Sequence, residues 1–223
     1  MPDSTRGAER SKVALRARLL AARRSLGAAA LASAARTLQD TLDALIAARS
    51  PRVIAAYVPL GSEPGGADLP ATLLQALASE PSFPPAPSLA HTPAVLLPVL
   101  LPDGDLDWAA YAGPSSLRAG ARGLLEPTGP RLGVAAVARA DLVVVPALAV
   151  DRRGMRMGRG GGSYDRALSR VSADPGRGPG ALTVALLHDG ELLEDVPAEA
   201  HDRRVGAAVT PAEGLSELPD WTK

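Results

Sequence analysis

The segment RMGRGGGSYDR, residues 156–166, has the composition of a loop that binds phosphate. Four of its residues are glycine, whose backbone can turn N–H groups towards an anion in conformations that a Cβ forbids. A helix predicted to begin near Tyr164 would add the positive end of its dipole. The cations in and beside this segment are Arg153, Arg156, Arg159 and Arg166. The spacing matches neither a Walker A loop nor a Rossmann fingerprint, so the residues alone leave two interpretations open, a phosphate cradle and a flexible surface loop.

Three acidic positions stand where a metal ion or a base could act. Asp165 follows the glycine run after Ser163 and Tyr164, where a carboxylate beside bound phosphates could hold Mg²⁺ or simply stabilise the first turn of a helix. Glu63 comes just after a predicted strand, at the end where α/β folds bind ligands, and a solvated loop acid is the alternative. The pair His201–Asp202 could supply a metal ligand or a base, or lie unused at the surface.

Aromatic and histidine side chains elsewhere give weaker signals. Trp108 and Tyr111 could stack on a planar ligand, and packing in the core is the alternative. We expect His91, in a proline-rich loop, and His188, after an apolar strand, to be structural. The sequence has no Ser/His/Asp or HExxH arrangement and no convincingly spaced His/Asp metal triad. The residues alone therefore indicate a protein that binds a phosphorylated ligand with Mg²⁺, and they leave the reaction open.

An N-terminal helix rich in alanine and arginine is the first element that must position these groups. Its apolar stripe consists of Leu15, Leu19, Ala22 and Leu26, and the cations along the edge of that stripe are Lys12, Arg16 and Arg23. Such a helix can dock by its leucines and direct its cations at the neighbouring groove. A second helix is predicted at about residues 30–49, and Pro51, just beyond it, is expected to end it.

Strands and helices alternate through the rest of the chain. The predicted strands are RVIAAYVP, AVLLPVL, ADLVVVPALAV, ALTVALL and a short one near residues 206–210. Helices are predicted near residues 67–79 and after the glycine run, a loop at residues 80–93, and turns and short elements at residues 102–133. This alternation predicts an α/β domain with a largely parallel sheet, and we expect residues 1–223 to form one domain with a helical arm at about residues 7–50.

Composition excludes several classes of function. The 223 residues include no cysteine, which excludes disulfides, thiolate metal sites, Fe–S clusters and a cysteine nucleophile. Lys+Arg and Asp+Glu are 24 each, so no bulk charge attracts nucleic acid or an anionic membrane. No apolar run approaches the roughly 20 residues that cross a bilayer. We therefore expect a cytoplasmic protein without nucleic-acid or membrane partners.

Five motifs occur together in one order along nearly the whole chain. They are K-x-x-x-R at Lys12 and Arg16, Y-x-P-x-x-x-E at Tyr57, Pro59 and Glu63, G-L-L-E-P at residues 123–127, the long strand-and-glycine segment at residues 141–166, and V-P…H-D at Val196, Pro197, His201 and Asp202. Any one of them could arise by chance. In this combination the chain resembles the 5-formyltetrahydrofolate cyclo-ligases, also called 5,10-methenyltetrahydrofolate synthetases.

The resemblance implies an enzyme that uses ATP and Mg²⁺ to convert 5-formyltetrahydrofolate to 5,10-methenyltetrahydrofolate, with release of ADP and phosphate. We expect it to be a monomer. ATP would phosphorylate the formyl oxygen, and N10 would then attack the activated carbon. It also implies a single three-layer α/β domain with a mostly parallel sheet and an N-terminal helical arm, related to sugar-phosphate isomerase and CoA-transferase-like folds. The alternative is a non-catalytic relative that keeps the fold to bind a nucleotide or folate.

The resemblance also assigns residues to the substrates by position. The residues assigned to ATP are Lys12, Val13, Ala14, Leu15, Arg16, Arg156, Met157, Gly158, Arg159, Gly160, Gly161, Gly162, Ser163 and Tyr164. Those assigned to folate are Val58, Glu63, Arg159, Gly160, Gly161, Gly162 and Ser163. Asp165 and Asp202 would ligate Mg²⁺, and Arg159 and Tyr164 would be the catalytic residues.

One position departs from the family pattern. Where the family loop usually has Gly-Tyr-Tyr-Asp, this chain has Gly162, Ser163, Tyr164 and Asp165. The missing ring removes a surface on which a pterin or adenine could stack, an interaction worth about 1–3 kcal/mol for nucleic-acid bases. The sequence therefore predicts weaker substrate affinity at this position rather than an inactive enzyme.

Overall fold

The computed structural model describes residues 3–79, 94–171 and 180–219, which contain four α-helices, three short 3₁₀ helices and twelve strands. The helices are α1 (Asp3–Ser25), α2 (Ala28–Arg49), α3 (Leu69–Ser79) and α4 (Ser163–Val171). The strands are β1 (Val53–Ala55), β2 (Ala94–Leu100), β3 (Leu106–Ala110), β4 (Leu117–Ala119), β5 (Leu125–Pro127), β6 (Leu142–Pro146), β7 (Ala149–Asp151), β8 (Arg156–Met157), β9 (Leu182–Leu186), β10 (Leu192–Leu193), β11 (Ala207–Thr210) and β12 (Gly214–Glu217).

Seven strands form the main sheet in the order β12-β11-β9-β6-β1-β2-β3. The five central strands are mutually parallel, and the edge strands β3 and β12 are antiparallel to their neighbours. Parallel strands are covered on both faces, which is why the runs LVVVP and LTVAL are apolar almost throughout. The predicted α/β class with a mostly parallel sheet is confirmed.

Side chains alternate between two cores on opposite faces of this sheet. On β6, Leu142 and Val144 face the core that α2 and α3 cover, where Leu38, Leu42 and Leu73 are fully buried. Val143 and Val145 face the other core, which α4 and the 3₁₀ segment Val134–Arg139 cover. Helices therefore lie on both faces of the sheet, as expected for three layers.

The predicted strand ADLVVVPALAV divides at a proline. β6 ends at Pro146 in the main sheet, and β7 begins at Ala149 in a separate sheet of order β10-β7-β8. Proline cannot donate a hydrogen bond to a neighbouring strand, so a strand readily ends there. The small sheet places β8 beside the end of β6.

Residues 102–133, predicted to be turns and short elements, also contain the edge strand β3 and the β4–β5 hairpin.

The helix α1 packs on the small sheet rather than on the main one. Leu19 is buried in a cluster with Leu148, Ala149, Met157 and Val196, while Leu15 is only half-buried against it. Of the other stripe residues Leu26 is half-buried and Ala22 is exposed, so the predicted stripe is narrower than expected. None of the described helices is long and apolar enough to cross a membrane.

The helix α2 begins two residues before its predicted start and ends at Arg49 as predicted. Alanine and leucine favour the helix, and Ser50 ends it in a left-handed conformation with φ 44°. The proline-rich loop predicted at residues 80–93 lies outside the described residues.

Candidate functional site

A cleft of about 470 Å³ opens at the carboxyl ends of the parallel strands. The segments after β1 and β6, the glycine run after β8 and the side of α1 form its walls. Parallel α/β sheets generally bind ligands at this end. The assigned residues that line it are Lys12, Arg16, Val58, Glu63, Arg156, Met157, Gly158, Arg159, Gly160, Gly161, Gly162, Ser163, Tyr164, Asp165 and Asp202.

Three of the residues assigned to ATP do not line this cleft. Val13 is 58% exposed and Ala14 is exposed, because both lie on the outer face of α1. Leu15 is directed towards the cluster around Leu19. Helical spacing explains the difference: of the five residues of α1 assigned to ATP, Lys12 and Arg16, one turn apart, lie on the face of α1 that lines the cleft, and Glu9 and Arg23 line it from the same helix.

The glycine run passes directly beneath α1. The Arg16 Nε donates to the carbonyl of Gly158 at 3.1 Å, and a Cβ placed on Gly160 would lie 3.5 Å from the Arg16 guanidinium. Gly160 and Gly162 have φ values of 98° and 67°, conformations that a residue with a side chain rarely adopts. The run ends at the N-terminus of α4, so backbone N–H groups, a helix dipole and Arg16 meet at one place, as a phosphate cradle requires.

The hydroxyl of Ser163 ties the start of α4 to the β2–β3 hairpin. Its Oγ donates to the carbonyl of Gly104 at 2.5 Å, and Arg166 Nη2 donates to the same carbonyl at 2.5 Å. Arg170 adds two hydrogen bonds to Asp105, 2.9 and 2.5 Å long, and the bond from Arg170 is the main reason that the pKa of Asp105 is lowered. No motif in the sequence indicated this contact of Ser163.

Asp165 lies between two donors at the start of α4. Its Oδ1 accepts from Arg156 Nη2 at 2.9 Å and from the backbone N–H of Arg203 at 3.1 Å. Arg156 is 4% exposed, and its Nε has no hydrogen-bond partner among the described residues. The guanidinium carbon lies 6.0 Å from the centre of the Tyr164 ring. This arginine is therefore fixed at the cleft by the acid that the family resemblance assigned to Mg²⁺.

Tyr164 keeps its proton at neutral pH. Burial is the main cause that raises the pKa of its hydroxyl, and the nearby charge of Glu63 raises it further, whereas Arg156 partly opposes the shift. A phenol held in this state can donate a hydrogen bond to a ligand but cannot act as a base.

Glu63 is held in a tight turn at the cleft. Its Oε2 accepts from the backbone N–H of Leu60 at 2.9 Å, and its Oε1 lies 3.4 Å from Nε of Arg159. The side chain is 13% exposed. The ion pair therefore joins the turn after β1 to the glycine run, the two segments that the family resemblance assigned to folate.

Lys12 is buried against two acids. Its Nζ lies 2.5 Å from Asp202 Oδ2 and 3.5 Å from Glu199 Oε2, and Lys12 is only 4% exposed. Burial alone would raise the pKa of Asp202, but the hydrogen bonds from Lys12 and from the backbone N–H of Glu199 outweigh it and lower the pKa. Asp202 therefore stays ionised well into the acidic range.

The donor set at the cleft suits a metal ion that arrives with phosphates. The described residues contain no group of three His, Asp or Glu side chains that could enclose a metal. Asp165 and Asp202 nevertheless line the same cleft. Mg²⁺ commonly takes one or two carboxylates and completes its shell with substrate phosphates and water. The two aspartates fit that mode of binding.

The structure also decides the roles of the two aromatic residues and shows a contact of Arg23 that the sequence did not predict. Trp108 and Tyr111 are 0% and 5% exposed in the cores, so packing is their role in this structure. Arg23 was expected at the edge of the helical stripe, yet it is 2% exposed and paired with Glu191 at 2.7 Å. His91 lies outside the described residues.

Comparisons with known proteins agree on one family. Residues 8–211 match the 5-formyltetrahydrofolate cyclo-ligase family. The chain is 40% identical over 214 residues to the 5-formyltetrahydrofolate cyclo-ligase of Mycolicibacterium smegmatis, covering 94% of this chain and 98% of that protein.

Solved structures give the same result. The 5,10-methenyltetrahydrofolate synthetase of Aquifex aeolicus superposes with a TM-score of 0.69 at 25% identity, covering 94% of this chain and 93% of that one. The synthetase of Mycoplasma pneumoniae shares the fold, with a TM-score of 0.63 at 16% identity over 88% of this chain and 96% of that one. The family match includes every segment that lines the cleft.

Proposed function

The chain belongs to the 5-formyltetrahydrofolate cyclo-ligase family and is an enzyme of folate one-carbon metabolism, and we propose that it closes 5-formyltetrahydrofolate to 5,10-methenyltetrahydrofolate at the expense of ATP, with Mg²⁺. One observation carries the proposal: the glycine run, Arg16 and Glu63 line a single cleft at the ligand-binding end of the sheet. A site for phosphates and a site for a second substrate thus adjoin each other.

The proposed reaction needs no protein nucleophile. The γ-phosphoryl group passes from ATP to the formyl oxygen with release of ADP, so that the former carbonyl oxygen becomes part of a good leaving group. N10 then attacks the formyl carbon, its proton is released, and the C–O bond breaks as phosphate departs. Such chemistry depends on in-line positioning and on neutralised charge, and a chain without cysteine can supply both.

Each part of the cleft takes a role in this scheme. The backbone of the glycine run and the guanidinium of Arg16 bind the phosphates of ATP. Glu63 binds the folate, and Arg159, which lies 3.4 Å from it, faces both substrates near the transferred group. The protonated Tyr164 hydroxyl donates a hydrogen bond beside them.

In this structure, two cationic residues assigned to ATP form ion pairs with the two aspartates assigned to Mg²⁺. Lys12 contacts Asp202, and Arg156 contacts Asp165. We propose that both cations turn to the phosphates when ATP binds, which leaves the two carboxylates for Mg²⁺. Bound Mg²⁺ would neutralise charge on the phosphates. The exchange keeps every buried charge compensated before and after binding.

A direct assay tests the reaction. Purified protein is mixed with 5-formyltetrahydrofolate, ATP and Mg²⁺, and the absorbance of the methenyl product is followed, with ATP-free and Mg²⁺-free controls. An increase that requires both supports the proposal. No increase from a folded protein that still binds ATP or folate would instead identify a non-catalytic relative that keeps the fold.

Replacing Glu63 tests the assignment of the folate site. Glu63→Gln removes the charge but keeps the shape, so we expect the KM for 5-formyltetrahydrofolate to rise about tenfold, because a hydrogen bond to a charged group is worth about 1.5–3 kcal/mol. The KM for ATP should change less than twofold. Glu213→Gln, an exposed acid paired with Arg152, is the matched control and should change neither constant. Equal effects of Glu63→Gln on both substrates would contradict the assignment.

A further inference from the structure

Within the described residues, the loop that carries Glu63, residues 60–66, has local hydrogen bonds only between Leu60 and Glu63, and glycine makes up three of its seven residues. It reads LGSEPGG, and Gly61, Gly65 and Gly66 all have positive φ values, between 62° and 107°. Glycines give a chain many alternative conformations. A side chain in such a loop can act reproducibly on a substrate only when other elements fix the backbone.

Three side chains from outside this loop hold its backbone, and each donates a hydrogen bond to one loop carbonyl. The hydrogen bonds are His188 Nε2 to the Ser62 carbonyl at 2.9 Å, Tyr57 hydroxyl to the Pro64 carbonyl at 2.7 Å, and Gln39 Nε2 to the Gly65 carbonyl at 2.8 Å. The carbonyl of Ser62 belongs to the same planar peptide group as the nitrogen of Glu63. His188 therefore orients the residue assigned to folate more directly than the other two anchors do.

His188 is itself fixed by a buried ion pair. The imidazole follows β9 and is 7% exposed, and because a carbonyl can only accept, its Nε2 carries the proton. The backbone N–H of His188 donates to Glu191 Oε2 at 2.8 Å. Glu191 in turn accepts two hydrogen bonds from Arg23, 2.7 and 2.8 Å long.

The ion pair joins this arrangement to α1. Arg23 also donates to the Ala147 carbonyl at 2.6 Å, and Arg23 and Glu191 are 2% and 4% exposed. A buried bidentate pair adds little net stability but strongly restricts geometry. Contacts therefore run without a break from α1 through Glu191 and His188 to the peptide that precedes Glu63.

We infer that His188 is a positioning residue for the folate substrate, acting through the Ser62 carbonyl on Glu63. The inference rests on the proposed function, since it takes Glu63 as the folate contact. His188 lies behind the loop and does not line the cleft. It therefore adds to substrate binding by holding the loop rather than by touching the ligand.

Two substitutions at His188 separate the donated hydrogen bond from packing. His188→Phe keeps a planar ring without an N–H, and His188→Gln keeps an N–H at a similar reach. We expect His188→Phe to raise the KM for 5-formyltetrahydrofolate about fivefold, in line with one buried hydrogen bond, and to change the KM for ATP less than twofold. His188→Gln should restore most of the affinity. Equal increases for both substrates, or no rescue by glutamine, would overturn the inference.

A double-mutant cycle with Glu63→Gln tests whether the effect passes through Glu63. If it does, His188→Phe should raise the folate KM much less when Glu63 is already replaced, whereas independent effects would multiply. Multiplying effects would overturn the inference. If Glu63→Gln alone leaves the folate KM unchanged, the assignment of Glu63 fails instead, so the two failures are distinguishable. Should His188→Phe not fold, His188→Asn, whose amide is too short to reach Ser62, takes its place in the cycle.

Discussion

Charge pairing at the level of single residues is the main feature of the cleft. Each acid assigned to folate or to Mg²⁺ lies against a cation, in the pairs Glu63–Arg159, Asp165–Arg156 and Asp202–Lys12. Buried charges are stable only when they are compensated. In the pairs Asp165–Arg156 and Asp202–Lys12, the ligands that we propose can take over this compensation, because phosphates would bind the two cations and Mg²⁺ the two carboxylates.

The free energy of unfolding that is lost when Lys12 is removed should depend on pH. The pKa of Asp202 is lowered below its usual value of 3.8, so its contribution to stability is complete above that value and is lost as pH falls through the lowered pKa. Lys12→Met leaves Asp202 buried without its cation. We expect a loss of about 1–3 kcal/mol near pH 7, measured by urea unfolding, and a loss that shrinks as the pH falls below about 4.

Arg18→Met is the matched control for that experiment. Arg18 is an exposed cation on the same helix, so its replacement should leave stability within about 0.5 kcal/mol at every pH. A difference between Lys12→Met and the parent chain that stays constant from pH 7 to pH 3 would show that the pair with Asp202 is not its cause.

Ser163 stands where the resembled family usually has tyrosine, and the structure now gives the residue a contact of its own. Ser163→Tyr adds a ring at the cleft but removes the donor to the Gly104 carbonyl. We therefore expect the KM of at least one substrate to fall about fivefold or more by stacking, while the unfolding free energy falls by about 1 kcal/mol. Steady-state kinetics and thermal unfolding measure the two effects. Unchanged Michaelis constants for both substrates would disprove the stacking argument.

Among the secondary-structure elements, α1 contributes both to the packing of the fold and to the lining of the cleft. It packs on the small sheet by Leu19 and by the Arg23–Glu191 pair, and the same helix presents Lys12 and Arg16 to the cleft. The glycine run lies beneath it, with Arg16 bonded to Gly158. Loosening α1 should therefore displace Lys12 and Arg16 on the phosphate side directly, whereas it reaches the folate side only indirectly, through the Arg23–Glu191 pair and His188.

Leu19→Ala tests this relation. Leu19 is 5% exposed, so we expect the unfolding free energy to fall by about 2–4 kcal/mol. The KM for ATP should rise at least threefold more than the KM for 5-formyltetrahydrofolate. Val13→Ala, on the exposed face of α1, is the control and should change neither stability nor kinetics appreciably. Equal changes in both Michaelis constants would mean that α1 supports the fold without a particular role in ATP binding.

At the scale of the whole molecule, ligand binding should stabilise the folded chain because the cleft draws on segments from all three sheets and from α1. ATP with Mg²⁺ at about 100 times its Kd should add about 2.7 kcal/mol, which raises Tm by about 5–10 °C for a chain of this length. Mg²⁺ alone should shift Tm by less than about 1 °C, since the described residues offer no three-ligand cluster. A large shift with Mg²⁺ alone, measured calorimetrically, would reveal a preformed metal site.

Local patterns in the sequence were sufficient to predict most elements. Apolar runs predicted the central strands, because a strand buried on both faces must be apolar throughout. Pro51 and the alanine-rich composition predicted the end of α2 and most of its length. The antiparallel edge strand β3 was not predicted, since LDWAA is short and mixes acidic with apolar residues. Its conformation depends on pairing with β2, a contact between segments that local patterns do not contain.

The types and order of the residues along the chain, by themselves, determined the fold class, the glycine run and the family resemblance. Tertiary structure alone decided which of those residues meet. The helical repeat places Lys12 and Arg16 on a different face of α1 from Val13 and Ala14. The fold brings the Lys12 Nζ to 2.5 Å from an Asp202 oxygen, 190 positions away in the sequence. The pairing of Arg23 with Glu191, and the contact of His188 with Ser62, likewise join distant segments. The physical reason is that water satisfies such charges and carbonyls in the unfolded chain. Folding removes that water, a distant protein group must replace it, and no local pattern records which group that will be.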